Sequence, residues 1–258
     1  MLERTGKQTF TENGNRRGKS MIWQDWAGRL RETLGLDGSP VGVAYSDTPA
    51  ANGKEGRIIP CAAFYHAARR GSTFNISERT SVCPGGIVHL GLGTIPAERA
   101  GLVKRFLLEG EKFRSCSAAY FRSRYLRQGQ PPLGVGKYVV VGPLEDFLLK
   151  PDLVLMVGTA AQASRLVTLA TYETGIPLPA ELSGSTCFGA VSYPLSTGRV
   201  NVSFIDPSTR HLVKGFKEGD IILGVPYFHL RGIVESIPLC TAGTAAPGMA
   251  YREVMTGY

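Results

Sequence analysis

Leu153-Val154-Leu155-Met156-Val157-Gly158-Thr159-Ala160-Ala161-Gln162 is the stretch on which the fold turns. Its first five residues are apolar and rich in branched side chains, the mark of a buried strand. The pattern then changes. Ala163, Leu166, Val167 and Ala170 recur at helical spacing, so 158–175 reads as a strong helix. A buried strand feeding an amphipathic helix is a unit of α/β architecture. Similar strands are expected at 41–45, 138–141, 200–205 and 221–225, and a weaker one at 72–76.

The helices follow from their ends. Residues 22–34 place Trp23, Trp26, Leu30 and Leu34 on one face, with Gly35 as a stop. Pro60-Cys61 opens a helix that closes with Arg69, Arg70 and Gly71. Proline suits a first helical turn, and Arg with Gly suits a last one. Cys83-Pro84-Gly85-Gly86 opens a short helix by the same logic. Residues 96–128 are helical in pattern with a break near Gly110, Cys187 opens another short helix, and Pro226 starts one that runs to about 237. Asp206-Pro207-Ser208 reads as a turn.

Composition sets the outer bounds. The 258 residues suffice for one large or two small domains. Apolar residues make up 43% and charged residues 19%, an ordinary globular balance. No apolar run has membrane-span length and the N-terminus lacks a signal-peptide core, so a cytoplasmic protein is expected. Residues 1–20, polar and carrying +3 of the net +8, read as a flexible extension; 21–237 read as one α/β domain and 238–258 as an irregular tail. The modest charge of the remainder fits an anionic small ligand and argues only weakly for nucleic acid. Five widely spaced cysteines in a chain of this size point to free thiols, a metal site or a redox site rather than a disulfide framework.

Two cysteine segments resemble each other: Ser81-Val82-Cys83-Pro84-Gly85-Gly86 and Ser185-Thr186-Cys187-Phe188-Gly189-Ala190. Upstream, Cys61-Ala62-Ala63-Phe64 matches Thr159-Ala160-Ala161-Gln162. These matches suggest an internal repeat, 41–95 and 150–205. The expected architecture is a mixed sheet with helices, built from two pseudo-symmetric α/β halves in one globular unit. Such symmetry would bring the helix N-termini at 61, 83, 159 and 187 to one pocket.

The second half also carries Lys150-Pro151-Asp152-Leu153-Val154-Leu155, Ala160-Ala161-Gln162-Ala163-Ser164-Arg165-Leu166, Tyr172-Glu173-Thr174-Gly175 and Glu181-Leu182-Ser183-Gly184-Ser185-Thr186-Cys187. With Cys61 and Cys83-Pro84-Gly85-Gly86, this series resembles the uncharacterised DUF169 (ArCR-like) family over roughly 22–237. The resemblance implies no particular activity. It marks Cys61, Cys83 and Cys187 as the motif cysteines and leaves Cys116 and Cys240 unplaced. The family's abundance in anaerobes implies oxygen-sensitive chemistry.

A thiol at a helix N-terminus is biased toward thiolate, the form that ligates metal. One expectation is therefore a 4Fe–4S cluster on Cys61, Cys83 and Cys187, with Cys116 as candidate fourth ligand and a redox protein as partner. The close Cys-x-x-Cys pair usual for clusters and for redox dithiols is absent. Zinc is disfavoured because His66 and His89 lie five and six residues beyond Cys61 and Cys83, off the thiol's helical face. The alternative expectation is a metal-free protein, binding module or enzyme, that grips an anionic small molecule. Gly85, Gly86, Thr159, Gln162, Gly184 and Ser185 are candidate cofactor contacts in either case, and Glu181 a candidate acid or base. Against both stands plain packing, since free cysteine is often a small buried hydrophobe; Cys240 is read that way.

Arg122, Arg124 and Arg127 alternate with Tyr120, Phe121 and Tyr125. A solvated basic face with aromatics turned inward explains this better than nucleic-acid binding. No phosphate-binding loop, dinucleotide fingerprint, nucleophile elbow or His-Glu-x-x-His motif occurs. The sequence does not set the oligomeric state.

Overall fold

The structure is a computed structural model that describes residues 16–95, 97–120, 122, 136–182 and 184–243. Its centre is a six-stranded sheet of β1 (Val41–Ser46), β2 (Phe74–Ile76), β3 (Tyr138–Pro143), β4 (Leu153–Gly158), β5 (Asn201–Phe204) and β6 (Ile221–Pro226). The strand order is β2-β3-β1-β4-β6-β5. Helices cover both faces, as the α/β expectation requires. The pairing differs from the mixed sheet expected. Among the described residues each strand-to-strand ladder is antiparallel, and parallel pairing is confined to the isolated bridges Lys54–Phe74 and Ile58–Ser81. Local strand–helix patterns fix the elements but not the direction in which distant strands meet.

Alternation along each strand divides the core in two. On the first face, Ala44, Val140, Val154, Met156 and Leu223 pack against α1 (Arg16–Leu34), α5 (Ala160–Thr171) and α8 (Tyr227–Ser236) through Leu30, Leu34, Leu166, Leu169, Leu230 and Ile233. On the second, Val43, Val141, Leu155 and Ile222 pack against Ala63, Phe64 and Ala67 of α2 (Pro60–Arg70), and against Leu90 and Val191. Between α2 and α5 come α3 (Pro84–His89) and α4 (Ala97–Arg105); α6 (Tyr193–Thr197) and α7 (Pro207–Leu212) follow α5.

Strand order is mirrored about the β1–β4 junction, with β2-β3-β1 on one side and β4-β6-β5 on the other. The mirror does not extend to the helices. α2, which follows β1, covers the second face, whereas α5, which follows β4, covers the first. The junction is short. β1 and β4 share three residue pairs, Val41–Leu155, Gly42–Val154 and Val43–Leu153, against six pairs each for β1–β3 and β4–β6.

α1 begins at Arg16, inside the stretch expected to be a flexible extension; residues 1–15 lie outside the described residues, as do 244–258 of the expected tail. Asp206-Pro207-Ser208 is not a simple turn. Asp206 caps α7, with Pro207 in its first turn. Among the described residues no helix is long and apolar enough to cross a membrane.

Candidate functional site

Three helix beginnings meet on the second face. α2 starts with Pro60 and places Cys61 in its first turn; the helix ends at Gly71, which has left-handed backbone (φ 63°). At that far end Arg69 pairs with Asp220 and Asp37, each at 3.4 Å, fixing the helix that carries Cys61. Cys83 is the N-cap of α3, and its Sγ accepts a hydrogen bond from the Gly86 N–H at 3.4 Å. A Cβ on Gly86 would lie 2.6 Å from Pro60 Cγ, so the glycine is what lets α3 abut the first turn of α2. Cys187 sits at the start of a helical run that winds as a π-helix over Phe188–Ser192 before α6. There the Ala190 carbonyl lies directly over Gly224 of β6, where no side chain intervenes.

Asp206 joins one of these segments, that of Cys187, to α7. Its Oδ1 accepts from the Thr209 N–H at 2.7 Å, capping α7. Its Oδ2 accepts from the Thr209 hydroxyl at 2.8 Å, and from the Thr186 N–H and hydroxyl at 3.0 and 2.5 Å. The residue before Cys187 is thereby tied to α7. Thr209 Oγ1 in turn lies 3.6 Å from Cys61 Sγ.

The result is a cavity of about 890 Å³. Cys61, Cys83 and Cys187 line it together with Gly85, Gly86, Ser185, His89, Glu111, Arg122, Asp206 and Thr209, and Ile59, Val88, Leu102 and Leu107 supply apolar wall. The cysteines are free thiols; Cys61 and Cys187 are buried and Cys83 half-buried.

The thiols are not equivalent. Cys61 is held below the ordinary thiol value, first because the Cys187 thiol donates to it and then because the Thr209 hydroxyl does; burial and the Asp206 charge oppose this. Cys187 is pushed well above the ordinary value by the same hydrogen bond, in which it is the donor, and by burial. Burial also raises Cys83, in spite of the Gly86 N–H. A lowered value is thus found at Cys61 alone of the three, and there it comes chiefly from side-chain hydrogen bonds, with the helix's own N–H the smallest contribution. At Cys83 loss of water outweighs the helix N–H groups, and at Cys187 the hydrogen bond given to Cys61 acts first and burial second. Burial, with help from the Arg122 charge, lowers His89 to about 4, so its imidazole is neutral at physiological pH. Glu111 is raised by burial, although Arg122 pulls it down.

The other sequence candidates separate. Gly85, Gly86 and Ser185 line the cavity, and Gly184 lies against Arg122, with its built Cβ 3.7 Å from Nη2. Thr159 and Gln162 do not join them. They form a capping box at the start of α5 on the opposite face of the sheet, where Gln162 Nε2 donates to the Gly35 carbonyl. The fourfold convergence expected from the repeat is therefore threefold. Cys116 is exposed and does not line the cavity. The backbone of Glu181 pairs with the side chain of Asn201, and Glu181 is not among the lining residues. Cys240 is buried in the first-face core, as expected of a packing residue. Arg122 turns into the cavity rather than onto a solvated face; Phe121, Arg124, Tyr125 and Arg127 lie outside the described residues.

Asp206, Thr209 and Glu111 carry polar chemistry at the site without standing out as candidates in the sequence, while His89 stands there only as a disfavoured zinc ligand and Arg122 only as part of a basic face. For Asp206 a signal existed, since Asp followed by Pro is a helix N-cap with proline at the first position. Among the described residues no three or more His, Cys, Asp or Glu side chains are grouped so as to hold a metal ion.

No curated protein and no solved structure matches the chain. Residues 29–236, which span all six strands and the whole thiol cavity, match DUF169, described as an uncharacterised ArCR family. The protein belongs to the DUF169 family.

Proposed function

We propose that the protein binds a small molecule in the thiol cavity and presents Cys61 to it as the reactive group. The observation that carries this is the convergence of Cys61, Cys83 and Cys187, from three separate segments, on one cavity of about 890 Å³. That volume is ordinary for a small-molecule site. Cys61 is the thiol held below its ordinary value, chiefly by Cys187 and with the Thr209 hydroxyl 3.6 Å from its Sγ, and it stands at the first turn of α2. Both features favour the thiolate, which is the nucleophile. The test is alkylation of the native protein by iodoacetamide, mapped by peptide mass spectrometry in a Cys116→Ser background. Cys61 is expected to react before Cys83 and Cys187, with a pH midpoint below that of free cysteine. Equal reactivity of the three, or an unreactive Cys61, refutes the assignment.

A second reading takes the same thiols as three ligands of a 4Fe–4S cluster serving a redox partner. Three sulfurs around one cavity support it, because such clusters are held by cysteine thiolates. A bound cluster would supply one-electron chemistry. The fit is partial. Cys187 is engaged with Cys61, no metal-holding group exists among the described residues, and Cys116 stands outside the cavity. Purification without oxygen decides the matter. Brown protein with stoichiometric iron and acid-labile sulfide establishes the cluster, and colourless, iron-free protein refutes it.

A further inference from the structure

We infer that Arg122 and His89 form an anion-binding subsite within this cavity, so that the molecule presented to Cys61 carries a carboxylate or phosphate group. The inference rests on the cavity being a small-molecule site. Both residues line it. His89 is 7% exposed, and its buried Nδ1 has no hydrogen-bond partner among the described residues. The buried Nε of Arg122 likewise has none. Buried polar atoms are rarely left so, because an unpaired one gives up its bond to water and gains nothing in return. Two side chains that line one cavity, each with a buried nitrogen left unpartnered, mark a place where a small shift of either would let ligand oxygens satisfy it.

The ring of His89 is held for the purpose. Its edge meets the Phe188 ring at 5.7 Å, and its own carbonyl accepts from the buried Ser192 hydroxyl at 2.5 Å. A neutral imidazole with the proton on Nδ1 donates to an oxygen and adds no charge. The charge comes from Arg122, whose planar guanidinium suits carboxylate and phosphate. No ion pair neutralises Arg122 among the described residues. Polarity then orients the ligand. Asp206 stands beside the thiols and repels an anion, so the acidic group lies toward Arg122 and the uncharged, reacting end toward Cys61.

The experiment titrates inorganic phosphate and malonate separately into the full-length protein, with chloride keeping ionic strength constant, and reads binding by calorimetry and thermal midpoint. At least one of the two is expected to bind and to slow iodoacetamide modification of Cys61. Which of them does so separates a phosphate ligand from a carboxylate ligand. Arg122→Gln is expected to weaken that binding about tenfold or more, as loss of a charge-assisted bond requires. Arg122→Lys keeps the charge without the fork and is expected to fall between, which preserves the test if the Gln variant folds poorly. Cys116→Ser, exposed and outside the cavity, is expected to bind the anion as the natural protein does. Absence of binding by both anions, or binding indifferent to Arg122, overturns the subsite while leaving selective Cys61 reactivity intact. Arg122-dependent binding with an unreactive Cys61 upholds the subsite and refutes the role proposed for the thiol.

Discussion

Replacing Asp206 tests the part of the structure that assembles the cavity. Its carboxylate accepts four hydrogen bonds, two from Thr209 and two from Thr186, and two of the four donors are backbone N–H groups at helix beginnings. Asp206→Ala removes all of them. At about 1 kcal/mol net for each bond, reduced for a half-buried group, the loss is about 3–4 kcal/mol. That is a large share of the roughly 5–15 kcal/mol that holds a domain of this kind folded. Asp206→Asn keeps the oxygen facing the Thr209 N–H but turns an amide donor toward the Thr186 N–H, so about 1–2 kcal/mol is expected. Urea unfolding followed by far-ultraviolet circular dichroism measures both. The Asp206 charge also raises Cys61, and the carboxylate competes with Cys61 for the Thr209 hydroxyl proton. In Asp206→Asn the pH midpoint of Cys61 alkylation therefore moves down. A loss under about 1 kcal/mol in the alanine variant refutes the capping account, and an upward midpoint refutes the electrostatic one.

Acid should destabilise the protein through His89. Its folded value of about 4 lies below the ordinary 6.5. Between those pH values the unfolded chain binds a proton that the folded one excludes, so stability is full above about pH 6.5 and falls by about 3 kcal/mol on descent to about pH 4. In His89→Gln, urea midpoints at pH 7 and 4.5 are expected to differ less than in the natural protein, and an unchanged difference removes His89 as the cause. Gly86→Ala forces a methyl to 2.6 Å from Pro60 Cγ and is expected to cost about 1–3 kcal/mol by overpacking, with altered Cys83 reactivity; a neutral outcome means that α2 and α3 separate freely. Cys116→Ser, at an exposed position, is expected to shift stability by less than about 0.5 kcal/mol, and a larger loss means that Cys116 belongs to a structural site.

Much of the fold is legible in local signals. Pro60, Pro84 and Pro226 mark helix beginnings, the apolar run 153–157 marks a central strand, and the three motif cysteines sit where helices start. What local signals omit is the face of the sheet to which a helix returns. Thr159 looked equivalent to Cys61 because both precede Ala-Ala at a helix start, yet the sheet separates them. Burial is equally invisible. The helix beginnings at Cys83 and Cys187 are readable, but the burial that raises Cys83 and the hydrogen bond to Cys61, 126 residues away in sequence, that raises Cys187 are not. Arg122 belongs to a basic, aromatic stretch that suits a solvated surface, and only the arrangement of α3 and the 184–187 segment around it makes it interior.

The three-pair β1–β4 junction has a thermodynamic consequence. Cys61, Cys83 and His89 follow β1, while Cys187, Asp206 and Thr209 follow β4, so the cavity is walled by both halves of a sheet whose halves share only three ladder pairs. A molecule that touches both walls acts as a rivet across that seam. Its binding free energy becomes cohesion between the halves, growing with the logarithm of ligand concentration above the dissociation constant. Exchange of the amide hydrogens of Val41, Val43, Leu153 and Leu155 thus becomes a direct gauge of whether the cavity is filled.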